Sequence, residues 1–450
     1  MASGVNFSKF GQADDLKKRI WFTIGALIIF RLLSFVPLPG VDPVAQALLY
    51  QNNAAGGVLD IFNTFSGGSL ERMSLIALGV MPYITASIVV QLAASLSPTL
   101  AAIKKDGESG RKKLNQSTRY GTVFLTALQG YFLAAGLESL AAANGIRAVV
   151  EPGMMFRVVA TISLIGGTLF LMWLGEQITS RGIGNGISLI IMAGIVAQIP
   201  RLVASLLEGG RTGSIDPLII VGFLVMFVAI TLLICFVERA QRRVLIQYPK
   251  RATQRGMMQA DRSHLPLKLN TAGVIPPIFA SSLLLLPSTV VNLRGAPVGE
   301  DAVGDWTQWL LQMLQHGQPV YLLLYGLGIA FFCFFYTAVV FNPEETSENL
   351  KKAGGFVPGI RPGKNTENYL DYVLTRITVV GAAYLVIVCL LPDYVMGLTG
   401  QQQFFVIGGT SLLILVNVTV DTIAQIQGHL MAHQYSDLLK KAKLKGNRGR

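Results

Sequence analysis

The sequence has little charge: Asp, Glu, Lys and Arg together make up 14% of its 450 residues, whereas about 25% is usual in soluble domains. Hydrophobic residues make up 52% of the chain, and the mean hydropathy is +0.52. This composition excludes an ordinary soluble enzyme. It favours one large membrane-embedded body over a string of soluble domains.

Cysteine and histidine are also scarce. Cys235, Cys333 and Cys389 lie inside apolar runs without the spacing of a metal or redox pair, which is typical of buried hydrophobic side chains rather than of a disulfide framework. His429 and His433 have an i, i+4 spacing that could hold zinc, but no third ligand accompanies them. We therefore predict no metal site and no cofactor.

The residues needed for membrane-embedded catalysis or ion coupling are missing. Gly186-Ile187-Ser188 has the Gly-X-Ser spacing of a serine nucleophile, but no histidine is expected at that depth. No acidic residue lies clearly at a bilayer midplane, which disfavours an ion-coupled pump. The glycine-rich run at 181–186 lacks a phosphate-loop lysine and is interpreted as a tight turn.

Ten apolar stretches of about 19 to 23 residues are long enough to cross a bilayer as helices. The alternating pattern of a membrane barrel is absent. The predicted fold is therefore an all-α integral membrane protein with ten transmembrane helices, at residues 20–38, 74–96, 118–139, 155–174, 187–207, 217–237, 272–292, 319–341, 373–391 and 404–424.

Most of the 37 Lys and Arg residues fall on one set of alternate connections, together with both termini. The positive-inside rule places that set in the cytoplasm, and the even number of spans agrees. Five spans in each half make the halves opposite in orientation, the geometry of an inverted repeat around a central seam. We expect an N-terminal half at 1–208, an external hinge at 209–216, a C-terminal half at 217–430 and a basic cytosolic tail at 431–450.

One segment does not fit the span count. Residues 58–73 are apolar but too short to cross the membrane, and Gly67 and Gly68 separate them from the next span. The segment is predicted to be re-entrant and buried in protein, because unpaired backbone groups cannot face lipid. A surface amphipathic helix is the alternative.

Two cytosolic loops are longer than a connection requires. The loop at 238–271 is rich in Lys and Arg, which suits a phosphate-bearing or acidic partner. The loop at 342–372 contains the run at 354–363, whose prolines and glycines hold Arg361 on a stiffened turn. Membrane topology alone explains the sign of these charges but not the length of the loops, so a docking face for a large partner is predicted.

Long motifs in this sequence resemble the SecY family, the central subunit of the bacterial protein-conducting channel. The resemblance covers roughly residues 20–445, and the sequence is similar to proteobacterial members of the family. The motifs are FRxxSFxPLPGxD at 30–42, NxFSGG at 63–68, ALGVMPYITASI at 77–88, IKKDGESGRKK at 103–113, MWLGEQITSRGIGNGISLII at 172–191, HLPLKLNTAGVIPPIFASS at 264–282 and GGFVPGIRPG at 354–363.

The resemblance implies a passive, non-enzymatic channel that translocates unfolded secretory polypeptides and releases apolar helices sideways into lipid. It also implies an apolar constriction between the halves, where branched aliphatic side chains exclude water without holding a passing chain. Without the resemblance, apolar pairs at i, i+4 would be interpreted as ordinary helix packing. The implied ring consists of Val80, where many members place isoleucine, with Ile84, Ile187, Ile191, Ile278 and Ile414.

The resemblance assigns three further sets of residues. The segment at 58–73 becomes the plug, a short re-entrant helix with Val58, Leu59, Ile61, Phe62 and Phe65. Spans two and three face spans seven and eight across a lateral gate that admits signal sequences, with a polar cluster of Gln91, Gln129 and Asn270, whose interhelical hydrogen bonds set the balance between closed and open states. The motor and ribosome dock on Lys250, Arg251, Arg255 and Arg361.

The implied location is the plasma (inner) membrane of a bacterium, with both termini cytoplasmic. The main rival class is a secondary transporter, which would need discontinuous spans around a polar midplane site, whereas the seams here are aliphatic. An intramembrane hydrolase is the second rival. Partners implied by the resemblance are the SecE and SecG subunits, the SecA motor ATPase, the ribosome with its nascent chain, signal peptides, SecDF, YidC and anionic lipids.

Overall fold

The computed structural model describes residues 14–47, 63–143, 148–213, 215–248, 252–253, 256–257, 262–293, 318–399 and 408–446. Helices dominate these residues. In chain order they are α1 (Asp14–Leu33), α2 (Met81–Leu96), α3 (Pro98–Lys105), α4 (Glu108–Ala143), α5 (Met154–Arg181), α6 (Gly186–Thr212), α7 (Pro217–Arg239), α8 (Ile275–Leu293), α9 (Pro319–Val340), α10 (Pro343–Lys352), α11 (Lys364–Thr399) and α12 (Gly409–Gly446).

Each of the ten predicted spans overlaps one helix. Seven helices in the described part of the chain are long and apolar enough to cross a membrane, and shorter apolar helices occur at Met81–Ser95 and Ile275–Leu284. Helix α1 has 20 residues, but its first turns are charged. Several helices are longer than the apolar core of a bilayer is thick. Helix α4 has 36 residues and is about 54 Å long at 1.5 Å per residue. Its charged first turns therefore extend beyond the apolar core.

The second predicted span differs most from expectation. Helix α2 begins only at Met81, and residues 66–80 form a series of turns that is largely buried. Pro82 in the first turn suits a helix start, because that position needs no backbone N–H donor. The preceding turns are satisfied by bonds to the chain after α1: Leu75 N donates to Val36 O at 2.9 Å, and Leu38 N to Met73 O at 2.9 Å. A non-helical backbone buried in protein is tolerated in this way.

The expectation of an all-α protein is wrong for the loop at 238–271. Strand β1 (Gln241–Gln247) pairs antiparallel with β4 (Arg262–Lys268), and the short strands β2 (Ala252–Thr253) and β3 (Gly256–Met257) pair between them. The run Val244-Leu245-Ile246 suits a strand because β-branched residues pack well on a pleated surface. The basic loop therefore contains a hairpin extending from α7.

The spans pack as two groups. Helices α1, α2, α4, α5 and α6 contact one another, and so do α7, α8, α9, α11 and α12. Between the groups, α8 contacts α2 and α4 on one side, while α12 contacts α1 and α6 on the other. Helix α6 continues to Thr212, and Gly213 ends it in a left-handed conformation with φ +73°. The predicted hinge at 209–216 is thus helical in its first half.

Candidate functional site

The six predicted ring residues belong to one hydrophobic cluster. Val80, Ile191, Ile278 and Ile414 are buried within it, and Ile84 and Ile187 pack against it half-buried. The six ring residues come from the starts of α2, α6, α8 and α12, two helices from each half, with Val80 directly before α2. The wider cluster also contains residues of α1 and α5. An aliphatic cluster with these contributors lies at the interface between the halves.

The chain turns immediately before these residues set their positions. Asn185 caps α6 by accepting a hydrogen bond from Ile187 N at 3.2 Å. Gly186 lies so close to α5 that a Cβ atom there would stand 2.0 Å from Gly175 O. Gly184 N, in the same turn, donates to Gln425 Oε1 of α12 at 2.9 Å. The glycine-rich run is therefore a tight turn, as predicted, and it joins the two halves.

The described part of the plug segment, residues 63–73, is buried rather than spread on a surface. Within this described part, residues 63–65 are helical and turns follow. Phe65 belongs to the same hydrophobic cluster as the ring. The other predicted plug residues lie outside the described residues: Val58, Leu59, Ile61 and Phe62.

Polar contacts hold this segment against two helices. Arg31 Nη1 of α1 donates to Gly67 O at 2.8 Å, and Gln198 Nε2 of α6 donates to Asn63 O at 2.7 Å. Arg201 Nη1 of α6 lies 2.7 Å from Glu71 Oε2. The segment is therefore fixed to α1 and α6 by side chains that the sequence had not singled out.

The predicted polar cluster at the gate is not joined by hydrogen bonds in this structure. Gln91 is exposed and donates to Ser87 of its own helix at 3.1 Å. Gln129 Oε1 is buried and has no partner among the described residues. Asn270 Nδ2 donates instead to Glu238 Oε1 at 2.7 Å. In the described part of the chain, no hydrogen bond therefore links any two of these three residues.

Asn270 organises the turn that leads into α8. Its Oδ1 accepts from Gly273 N at 3.0 Å, and its Nδ2 also donates to Gly273 O at 3.1 Å. Glu238, at the end of α7, is itself buried with 7% exposure. Sequence reasoning missed Glu238, although an acidic residue at the end of an otherwise apolar span was a usable signal.

The two long loops that were predicted to be cytosolic pack together. Gln247 at the end of β1 exchanges two backbone hydrogen bonds with Phe356, at 2.9 and 3.0 Å. Val357 is buried with Val244 of β1 and Leu267 of β4. The predicted docking residues Lys250, Arg251 and Arg255 lie outside the described residues.

Arg361 is exposed in the loop at 342–372, which packs against the hairpin. Its carbonyl accepts from Thr366 Oγ1 at 3.0 Å, and Gly363 O accepts from Ser347 Oγ at 2.8 Å. These bonds hold the backbone at Arg361 and just after it, and the residue itself is exposed. A cation carried on a fixed backbone turn can dock an acidic surface with little loss of backbone conformational entropy.

Sequence relatives match nearly the whole chain. The SecY family matches residues 74–423. The protein translocase subunit SecY of Escherichia coli strain K12 is 50% identical over 444 residues, 98% of each chain. The subunit of the same name from Rickettsia typhi is 49% identical over 447 residues, 98% of this chain and 100% of that one.

Solved structures share the fold at low sequence identity. One is described as a protein-conducting channel, with a TM-score of 0.62 and 18% identity. A second concerns a SecY plug domain that stabilises the closed channel and maintains a membrane seal, with a TM-score of 0.62 and 17% identity. A third is Sec61 in a canine ribosome–channel complex from the endoplasmic reticulum, with a TM-score of 0.59 and 17% identity. Each covers 92% of this chain and 92% of its own.

Proposed function

The chain belongs to the SecY family of protein translocase subunits, and we propose that its six-residue ring is the constriction through which unfolded polypeptides pass. One observation carries this assignment: aliphatic side chains from both halves meet in a single cluster at their interface. A narrow aliphatic ring excludes water by dewetting and offers no polar group to a passing side chain. The same ring can therefore seal the idle channel and accept any sequence.

The segment at 58–73 is the plug of this channel. Its described part is buried, and Phe65 packs in the ring cluster, which supports a blocking role. A related SecY plug domain is described as stabilising the closed state and maintaining a membrane seal. The plug then backs up the ring when no substrate is present.

The ten helices that match the predicted spans cross the membrane as two inverted halves, with a hinge at 209–216. The lateral gate lies between α2 and α4 on one side and α8 and α9 on the other. Helix α8 contacts α2 and α4 across the interface between the halves, which supports this location. Separation of these helices opens a path from the pore to lipid for signal sequences and apolar segments.

The loops at 238–271 and 342–372 lie in the cytoplasm of a bacterial cell, with the channel in the inner membrane and both termini on the cytoplasmic side. The positive-inside rule supports this orientation. The exposed Arg361 and the neighbouring hairpin dock the SecA motor ATPase or the ribosome, and SecE and SecG complete the channel. A related Sec61 chain is described in a ribosome–channel complex. The channel itself is passive, and the motor or the ribosome supplies the driving force.

Reconstitution tests this proposal. The chain, purified with its partner subunits, is placed in liposomes with the motor ATPase, and a secretory precursor is expected to become protected from added protease. Arg361→Glu should abolish this protection, because a fixed cation becomes an anion at the dock. Lys351→Glu, an exposed change of the same sign in the same loop, should retain it. Full protection with Arg361→Glu would contradict the docking assignment.

A further inference from the structure

The plug segment contacts its surroundings through charged side chains as well as apolar ones. Arg201 of α6 and Glu71 of the segment form an ion pair at 2.7 Å. Arg31 of α1 donates to the carbonyl of Gly67 at 2.8 Å. Both donors come from helices of the N-terminal half, so the contacts join the segment to the half of the channel that carries it.

Neutral contacts lie beside these two. Gln198, one helical turn before Arg201, donates to Asn63 O at 2.7 Å. Asn63 Oδ1 in turn accepts from Glu71 N at 3.0 Å. The carbonyl and the carboxylate contacted by α6 are therefore linked inside the segment, and they hold one compact turn.

The backbones also meet closely at this place. A Cβ atom on Gly67 would stand 2.9 Å from Gly194 Cα of α6, and Gly67 has φ +71°. Such an approach is open only to glycine on the plug side. The segment therefore packs closely against α6 at Gly67 and Gly194. The bonds from Gln198 and Arg201 lie beside this contact.

The charges around the segment are mostly of one sign. Arg31 and Arg72 both lie over the ring of Phe35, at 4.9 and 4.3 Å from its centroid. Arg72 Nη1 is buried without a hydrogen-bond partner among the described residues. Glu71 is thus an anion among arginines, and its replacement by a cation would concentrate like charge at the seat.

We infer that Arg31, Gln198 and Arg201 form a latch that holds the plug segment closed through Gly67, Asn63 and Glu71. The inference rests on the proposed function, since it assigns the residues that set how readily the plug leaves. It makes the closed state partly electrostatic. The ring alone then does not determine how much the idle channel leaks.

A charge-swap experiment tests the latch. The complex is reconstituted with its partner subunits in planar bilayers, and ion conductance is recorded without substrate. Glu71→Arg should raise idle conductance about tenfold or more, as expected from loss of a charged hydrogen bond. The double variant Glu71→Arg with Arg201→Glu restores the pair with opposite polarity and should return conductance most of the way to the wild-type level.

Matched variants keep this test informative. Arg211→Glu makes the same charge change on an exposed residue of α6 outside the latch and should leave conductance unchanged. Arg201→Glu alone alters a side chain that is 61% exposed, so it offers a route to the same result if Glu71→Arg does not fold. It should also raise conductance, by setting two carboxylates against each other.

The outcomes separate the latch from the channel function. Wild-type conductance in both single variants, with translocation of a secretory precursor intact, would overturn the latch and leave the channel function standing. A double variant as leaky as the single ones would also overturn it. Failure of the wild-type complex to translocate any precursor would overturn the proposed function, and the latch with it.

Discussion

The apolar ring and the polar gate cluster were both assigned by resemblance, yet only the predicted ring residues share one contact cluster in the structure. Six aliphatic side chains from four helices share one cluster. Of the three polar residues, Gln91 bonds within its own helix, and Asn270 bonds to Glu238. The predicted ring residues are therefore in one cluster in this structure, whereas the predicted gate residues are not joined by hydrogen bonds.

The difference follows from the two kinds of interaction. Apolar packing is non-directional and needs only that side chains be near one another. A hydrogen bond needs a donor and an acceptor within about 3.2 Å at a good angle, so a small shift between α2, α4 and α8 removes it. A seal can therefore persist in a gate whose polar bonds are not formed.

The ring predicts the largest effect. Ile278→Asn places an amide in a site with 8% exposure, where an unpaired amide costs about 1–3 kcal/mol unless water enters. We expect water to enter, with idle ion conductance raised at least tenfold and passage of precursors with defective signal sequences. Single-channel recording and a translocation assay measure these effects.

Ile162→Asn is the control for this variant. Ile162 is 63% exposed on α5, so this substitution should leave conductance unchanged. If Ile278→Asn gave wild-type conductance and wild-type signal selectivity, the ring would not be the seal.

The next largest effect is expected from replacing Asn270, and it concerns the stability of the protein rather than its conductance. Asn270→Ala leaves the buried Glu238 carboxylate without the donor that lies 2.7 Å away, and we expect the free energy of unfolding to fall by about 2–3 kcal/mol. Adding Glu238→Gln should recover part of the loss, because the unpaired charge is removed. Denaturant unfolding of the purified complex measures both, and a loss no larger than that of Gln91→Ala would contradict this role.

A smaller change in stability and conductance is expected from replacing Val80. The residue has 3% exposure. Val80→Ile adds one methylene to a packed ring, which we expect to lower stability by about 1 kcal/mol. We expect slightly lower idle conductance and unaltered translocation. A strong block of translocation would mean that the ring has no room for the larger side chain.

The smallest effect is expected between Gln91 and Asn270. Because no hydrogen bond joins them, a double-mutant cycle on unfolding with Gln91→Ala and Asn270→Ala should give a coupling energy within about 0.5 kcal/mol of zero. A coupling above about 1 kcal/mol would mean that the two residues interact in the resting channel and that the gate cluster is assembled there.

The sequence could predict most of the helical framework. Long apolar runs such as 217–237 require a helix whatever surrounds them, and helix α7 (Pro217–Arg239) matches closely. It could not predict that α2 begins at Met81, because the apolar residues at 74–80 are equally suited to a helix. Their turns depend on bonds to residues far along the chain, such as Leu75 to Val36.

The site was predictable to a different degree in each part. An i, i+4 pair such as Ile187 and Ile191 has the pattern of ordinary packing, so the motifs, rather than the spacing, singled it out. The latch residues had no such signal: Gln198 and Arg201 are unremarkable polar residues until the fold sets them beside the plug segment. The hairpin after α7 was missed because its strands lie in a charged loop where length was the more visible feature.

Crosslinking from the ring tests the central claim most directly. A photoreactive amino acid replaces Ile278, with the exposed Ile162 of α5 as the matched position. A secretory polypeptide is then arrested partway through the reconstituted channel. We predict that the polypeptide is crosslinked at position 278 and not at position 162. Crosslinks to lipid alone at position 278, with the polypeptide arrested and protease-protected in the same sample, would contradict the claim that chains pass through this ring.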